Sequence, residues 1–271
     1  MSTFVAAAVQ LTSTSDEAGN LEAAERWIRH AAARGADLVA TPENTNFLGP
    51  HEEKVRRAQT LDGAVCALFA ELASELGIHL LLGSFNERGP DPERCYNTSV
   101  LFGPDGSRLA VYRKIHLFDV DVADGVRFTE SDTVAPGEEV VVASTQLAEI
   151  GMTICYDLRF GELYRQLVEA GAAVLTVPSA FTLTTGRAHW EPLMRSRAIE
   201  CQCWVVAPAQ YGRHDDGGLR ESYGHSMIVD PWGLVVARAS DGPGLTLAEI
   251  DLGRVESVRR AIPVAEHRRL S

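Results

Sequence analysis

The sequence predicts an α/β fold, a four-layer α-β-β-α sandwich built from two similar halves. Three observations carry that expectation. Apolar runs of four to eight residues alternate with amphipathic stretches from end to end, as helices packed on sheets require. The string GADLVATP at 35–42 returns as GAAVLTVP at 171–178, each time preceded by helix-like sequence and carrying a buried strand. Tyr96, Ser99, Pro104 and Gly106 share their internal spacing with Tyr223, Ser226, Pro231 and Gly233. Two such halves, each a sheet covered by helices, can pack sheet against sheet with the helices outside.

The elements follow in order. MSTFVAAAVQLTSTSD has an apolar centre with no basic residue before it, so VAAAVQL reads as a first strand and not as a secretory signal. An amphipathic helix over 20–33 takes Asn20 as its N-cap and closes at Gly35. DLVAT is the second strand, followed by a helix over 62–76 and the strand HLLLGSF. TSVLF and LAVYR flank a Pro-x-Gly turn and end in Arg113. EIGMTIC, a helix over 160–170, AVLTVP, a helix over 190–203 and WVVAPA then repeat the alternation. SMIVD and LVVARA form the second strand, Pro-x-Gly turn and strand, ending in Arg238. No Pro/Gly/Ser linker and no low-complexity tract divides the chain, so residues 1–271 read as one domain.

Composition narrows the function. The 271 residues are 45% hydrophobic and 23% charged, proportions of a globular protein with a sizeable core. A net charge of −12 argues against nucleic acid, because phosphate binding relies on surplus Lys and Arg. No run of about 18 apolar residues occurs, so no membrane span is expected. Cys66, Cys95, Cys155, Cys201 and Cys203 make an odd, irregularly spaced set, which suits free thiols in a reducing cytoplasm better than a disulfide framework.

The candidate chemistry lies where the halves differ. Pro42 is followed by Glu43, whereas Pro178 is followed by Ser179. A carboxylate at the end of a buried strand is poorly solvated and needs a compensating charge or a function. Lys114 stands among apolar residues in YRKIHLF, just after LAVYR. Cys155 ends EIGMTIC and precedes an amphipathic helix, whose amides would favour the thiolate. Each has an ordinary structural explanation alone: a small core residue, a snorkelling lysine, a helix-start glutamate. Together at strand ends of one α/β fold they point to a site.

In TPENTNF, YRKIHLFD and GMTICYDLRFGELYR the sequence resembles the nitrilase superfamily, the carbon–nitrogen hydrolases, over essentially its whole length. That resemblance implies a nitrilase-like four-layer sandwich and a Glu43, Lys114, Cys155 triad. Glu130, in RFTESDTVAPG, matches a further glutamate kept near the lysine. Implied roles are a cysteine nucleophile, a glutamate general base and acid, and a lysine that stabilises the oxyanion, with a thioester intermediate. No metal or organic cofactor is expected.

Rival chemistries find less support. His116, His189 and His225 lie in motif-rich segments, yet a Cys-His site needs one positioned partner. Cys201 and Cys203 have no second Cys or His cluster for zinc, and neither a G-x-S-x-G elbow nor a phosphate-binding glycine loop is present. A decayed, merely binding member of the fold would lack a triad residue, and all three are intact.

Within the superfamily, PSAFTLTTGRAHWEPLMRSRAIECQCWVVAPAQYGRH and SYGHSMIVDPWGLVVAR resemble the Nit branch, most of all the deaminated-glutathione amidases. The resemblance implies cleavage to 2-oxoglutarate and cysteinylglycine. The alternatives are an ω-amidase acting on 2-oxoglutaramate, or another small-amide or N-carbamoyl hydrolase. Ser179-Ala180-Phe181 favours the first, since ω-amidases tend to carry glycine at the first of these positions. Thr41 and Arg187 depart from the family's usual apolar residue and proline. Tyr156, Arg159, Thr185 and Arg187 are the candidates for gripping a substrate carboxylate. A homodimer is expected through LYRQLVEAGAAVL and the helix between Trp190 and Trp204.

Overall fold

The computed structural model describes residues 3–122, 126–215 and 220–269. The chain opens with β1 (Thr3–Leu11), α1 (Glu17–Ala33), β2 (Leu38–Ala40), α2 (His51–Arg56) and α3 (Ala64–Leu76). The meander β3 (His79–Asp91), β4 (Arg94–Phe102) and β5 (Arg108–Arg113) completes the first half. A hairpin of β6 (Asp119–Val122) and β7 (Val126–Thr129) leads to β8 (Val142–Ser144). The second half holds β9 (Glu149–Met152), α4 (Gly161–Glu169), β10 (Val174–Thr176), α5 (Leu183–Cys201) and β11 (Trp204–Ala207). It continues through β12 (Ala209–Arg213), β13 (Glu221–Tyr223), β14 (Met227–Val229) and β15 (Val235–Arg238). β16 (Gly244–Asp251), α6 (Leu252–Ala261) and α7 (Val264–His267) close the chain.

The halves share one topology. The first sheet runs β13-β12-β1-β2-β3-β4-β5, with β16 antiparallel along β1, and the second runs β15-β14-β11-β10-β9-β8. β1, β2 and β3 are parallel, and β4 and β5 return antiparallel. β9, β10, β11, β14 and β15 repeat that order and sense. The echoed turns are equivalent too: Gly106 and Gly233 take φ of 78° and 85°, a region glycine enters without steric cost.

Side-chain alternation builds the layers. On β1, Ala6 and Ala8 join a core with Leu81 of the first sheet and Ile150, Val174 and Val205 of the second. Ala7 and Val9 face the other way, onto Ile28 of α1 and Phe69 of α3. Leu163 of α4 and Trp190 and Met194 of α5 belong to the first core. The order is helices, sheet, sheet, helices, as expected. Each fully buried Leu, Ile or Phe side chain contributes about 1.5–3 kcal/mol.

Several expectations are corrected. Asp16, not Asn20, caps α1, accepting the Gly19 N–H at 3.2 Å. Asn20 lies inside the helix, where its amide accepts from the Thr14 N–H at 2.9 Å and donates to the Asn46 carbonyl at 2.8 Å. Tertiary partners therefore claim the side chain that the local pattern assigned to a cap. α5 begins at Leu183 instead of 190, so the TLTTGR segment is mostly helical. WVVAPA is two strands: the ladder breaks at Pro208, which has no N–H, and the chain crosses from β11 in one sheet to β12 in the other. Among the described residues, no helix is long and apolar enough to cross a membrane.

Candidate active site

The predicted residues arrive from separate elements. Glu43 stands just past the carboxyl end of β2, and Asn44 after it has φ of 56°. Thr41 holds this bend through its hydroxyl, which accepts the Gly83 N–H at 3.0 Å. A β-carbon at Gly83 would fall 1.9 Å from the Thr41 carbonyl oxygen, so only glycine permits the approach. Lys114 follows β5, its N–H donating to the Asn97 carbonyl at 2.9 Å. Cys155 begins a 3₁₀ turn over Cys155–Arg159 with φ of 48°, a strained value for a residue with a β-carbon. Its N–H is tied to the Pro178 carbonyl at 2.9 Å.

These segments meet in one buried polar cluster. The Lys114 ammonium donates to Glu43 Oε1 and to Glu130 Oε2, both at 2.8 Å. Asn97 Nδ2 donates to the same two carboxylates, at 2.9 Å to Glu43 and 3.2 Å to Glu130. Glu130 Oε2 also accepts the Phe118 N–H at 2.7 Å, and Glu43 Oε2 accepts the Ala180 N–H at 2.8 Å. The Cys155 thiol and the Glu43 carboxylate line the same pocket. All five side chains are buried, with relative exposures of 1% for Lys114 and 6% for Cys155.

The charge states follow from this packing. Burial works against the Lys114 ammonium, but Glu130 and Glu43 outweigh it and hold the lysine protonated well above its ordinary value. Burial also opposes ionisation of Glu130, yet Lys114 and then Lys54 overcome it and bring the carboxyl down to about 2. For Cys155, burial and the adjacent Glu43 push the thiol well above its ordinary value, with Lys114 opposing. The thiolate expected from nearby helix amides is thus not the resting form. α4 starts only at Gly161, and a carboxylate sits beside the sulfur instead.

A pocket opens over the cluster. Glu43, Lys114, Glu130 and Cys155 line it, together with the rings of Phe118, Phe128, Tyr156 and Phe181. Of the residues expected to grip a carboxylate, Tyr156 and Thr185 line the pocket. Arg159 lies behind the aromatic wall, its guanidinium 5.7 Å from the Tyr156 ring centre and 5.4 Å from that of Phe181. Arg187 is exposed on α5 and outside the pocket lining. His116, His189 and His225 also stand outside it. His116 instead contacts Asp157 at 2.7 Å. Among the described residues, no group of three or more His, Cys, Asp or Glu is placed to hold a metal ion.

Sequence reasoning missed Asn97 and Arg220. Asn97 had a signal, a polar amide within the otherwise apolar strand CYNTSVLF. Arg220, a pocket residue, had none in RHDDGGLRESYG.

Residues 5–260 match the family described as carbon-nitrogen hydrolase. The chain is 48% identical to deaminated glutathione amidase of Bos taurus, over 97% of this chain and 81% of that one. It is 43% identical to the enzyme of the same name from Synechocystis, over 99% of each. The crystal structure of the C. elegans NitFhit protein superposes with a TM-score of 0.92 at 41% identity, covering 98% of this chain and 65% of that longer one.

Proposed function

The chain belongs to the carbon–nitrogen hydrolase family, and from that premise we propose that it is an amidase that cleaves deaminated glutathione to 2-oxoglutarate and cysteinylglycine. One observation carries the mechanism: a single carboxylate, Glu43, is hydrogen-bonded to the Lys114 ammonium and lines one buried pocket with Cys155, whose thiol it helps to keep protonated. Glu43 takes the thiol proton as the sulfur adds to the amide carbonyl. Lys114, fixed between two carboxylates, stabilises the oxygen that becomes negative. Collapse of the tetrahedral species expels the amine, which leaves with the proton from Glu43, and a thioester remains on Cys155. Water then adds to the thioester, giving its proton to Glu43, and Cys155 departs as the thiol. Glu130 and Asn97 hold Lys114 and Glu43 in register. The relatives' shared name supports the substrate.

The proposal includes a reducing, cytoplasmic setting, in keeping with five cysteines that form no disulfide. It also includes a homodimer. Trp190 and Trp204, expected at its contact, are buried within the chain. The exposed apolar side chains nearby are Ile199, Trp232 and Leu234.

The test is a turnover assay on deaminated glutathione with mass-spectrometric detection of both products in equal amounts. Its kcat/KM should exceed that of 2-oxoglutaramate by roughly tenfold, or about 1.4 kcal/mol, from binding of the larger leaving group. A better rate on 2-oxoglutaramate would overturn the substrate assignment.

A further inference from the structure

The short helix α2 carries His51 and Lys54 one turn apart on the same helix face. His51 packs 4.5 Å from the ring of the pocket residue Phe128, and Lys54, just outside the pocket lining, lies near enough to Glu130 to help hold its carboxyl down. Lys54 is 2% exposed, and among the described residues its ammonium has no hydrogen bond or ion pair. Its acidic neighbour Glu130 is already committed: Oε2 to Lys114 and the Phe118 N–H, Oε1 to Asn97. A second cation, Arg220, lines the pocket with Cys155. Its guanidinium lies 4.3 Å from the centre of the Phe128 ring, and Nη2 is 3.0 Å from His51 Nε2. Burial, then Lys54 and Arg220, push His51 down to about 3. The imidazole is therefore neutral and offers Arg220 a lone pair that orients its fork.

An ammonium on a side chain only 2% exposed, with no bonded partner among the described residues, is stabilised by an anion brought against it. The mechanism above uses neither. An anion that enters the pocket would relieve the cost, and Arg and Lys suit a carboxylate. We propose that Lys54 and Arg220 form an anion subsite for the carboxylate on the acyl side of a 2-oxo acid amide. The inference rests on the amidase reading, and it names the group that selects the acyl chain. In such a substrate the carboxylate and the scissile carbonyl end one five-carbon chain, so the subsite sets where the carbonyl meets Cys155.

Lys54→Met and Arg220→Met test it, with folding checked by thermal melts. Calorimetry with 2-oxoglutarate should give binding to the parent protein that each variant weakens by roughly tenfold or more, as loss of a charged hydrogen bond predicts. In turnover, the preference for 2-oxoglutaramate over 4-oxopentanamide, which has a methyl group in place of the carboxylate, should collapse by a similar factor. Deaminated glutathione should lose as much as 2-oxoglutaramate, because the two share the acyl end. A loss confined to deaminated glutathione would move the subsite to the leaving-group side and overturn the assignment. Unchanged binding of 2-oxoglutarate in both variants, or none to the parent protein, would refute it. If the parent turned over no 2-oxo acid amide, the amidase reading would fail and calorimetry alone would decide the subsite.

Discussion

The Asp157 carboxylate accepts the Tyr112 hydroxyl at 2.6 Å, joining the turn that carries Cys155 to the strand that leads into Lys114. Asp157 is fully buried and also accepts the Ile154 N–H at 2.9 Å and the His116 N–H at 3.0 Å. Ile154 before Cys155 and His116 after Lys114 thus hang on one carboxylate. Asp157→Asn puts an NH₂ where an acceptor is required, leaving a buried donor opposed to a donor. It should cost about 1–3 kcal/mol of stability. It should also lower kcat by more than it raises KM, because the misplacement concerns reacting atoms. Tyr112→Phe should show the same split more weakly. Denaturant unfolding and steady-state kinetics on both variants check this, and an equal change in kcat and KM would argue for a merely structural tie.

Cys155→Ser should reduce turnover by on the order of 10⁴ or more while leaving the melting temperature near that of the parent. The other thiols offer no substitute: Cys66, Cys95, Cys201 and Cys203 are buried and lie outside the pocket that Cys155 lines. Peptide mapping after inactivation by an electrophile should find the adduct on Cys155. Inactivation that maps elsewhere would end the assignment.

Lys114→Met removes the charge that the proposed mechanism sets against the developing oxyanion. Loss of one such donor costs about 10²–10³ in rate, and the effect should fall on kcat. Two buried carboxylates, Glu43 and Glu130, also lose their shared counter-charge, so stability should drop as well. A variant with normal kcat and only a raised KM would reduce Lys114 to a binding group.

Acid should act through Glu130. Its carboxyl is brought from 4.5 down to about 2 in the folded protein, so the folded state binds fewer protons than the unfolded one across that window. The stabilisation is complete above about 4.5 and is lost as pH falls toward 2. Urea unfolding at pH 7, 4 and 3 should show a decline that is shallower in Glu130→Gln. Parallel declines in both proteins would assign the acid sensitivity to other groups.

Light scattering at micromolar concentration should return twice the 29.4 kDa of one chain. Trp232→Lys, on the exposed apolar side, should shift the mass toward one chain if that face forms the contact. A single-chain mass for the parent protein would exclude the dimer.

Much of this was readable from local pattern. The paired GADLVATP and GAAVLTVP strings mark β2 and β10, whose equivalence in the two sheets places Pro42 opposite Pro178. Burial of both sheet faces leaves an unmistakable apolar signature, and a Glu, a Lys and a Cys at its ends stand out against it. What escaped is set by tertiary packing. Lys54 sits in HEEKVRR, which reads as a solvated charged run, and only the fold turns one of its charges inward. Asn20 looks like a cap until Asn46 claims its amide. β12 joins the first sheet although its sequence follows a second-sheet strand without a gap, because Pro208 ends one ladder and starts the next. Cys155 was read as thiolate-favouring from the turn alone, and the neighbour that reverses this, Glu43, lies far away in sequence.

The resting thiol has a consequence for survival under oxidative stress. Peroxides and disulfides react with thiolates, and a cysteine that keeps its proton until a carbonyl is in place gives them little to attack. Papain-like sites carry a standing ion pair and are open to sulfenic acid formation between turnovers. In the proposed mechanism the sulfur loses its proton only as it adds to substrate, and the resting thiol is held well above its ordinary value, so inactivation by hydrogen peroxide should be slow and should not accelerate across the neutral range.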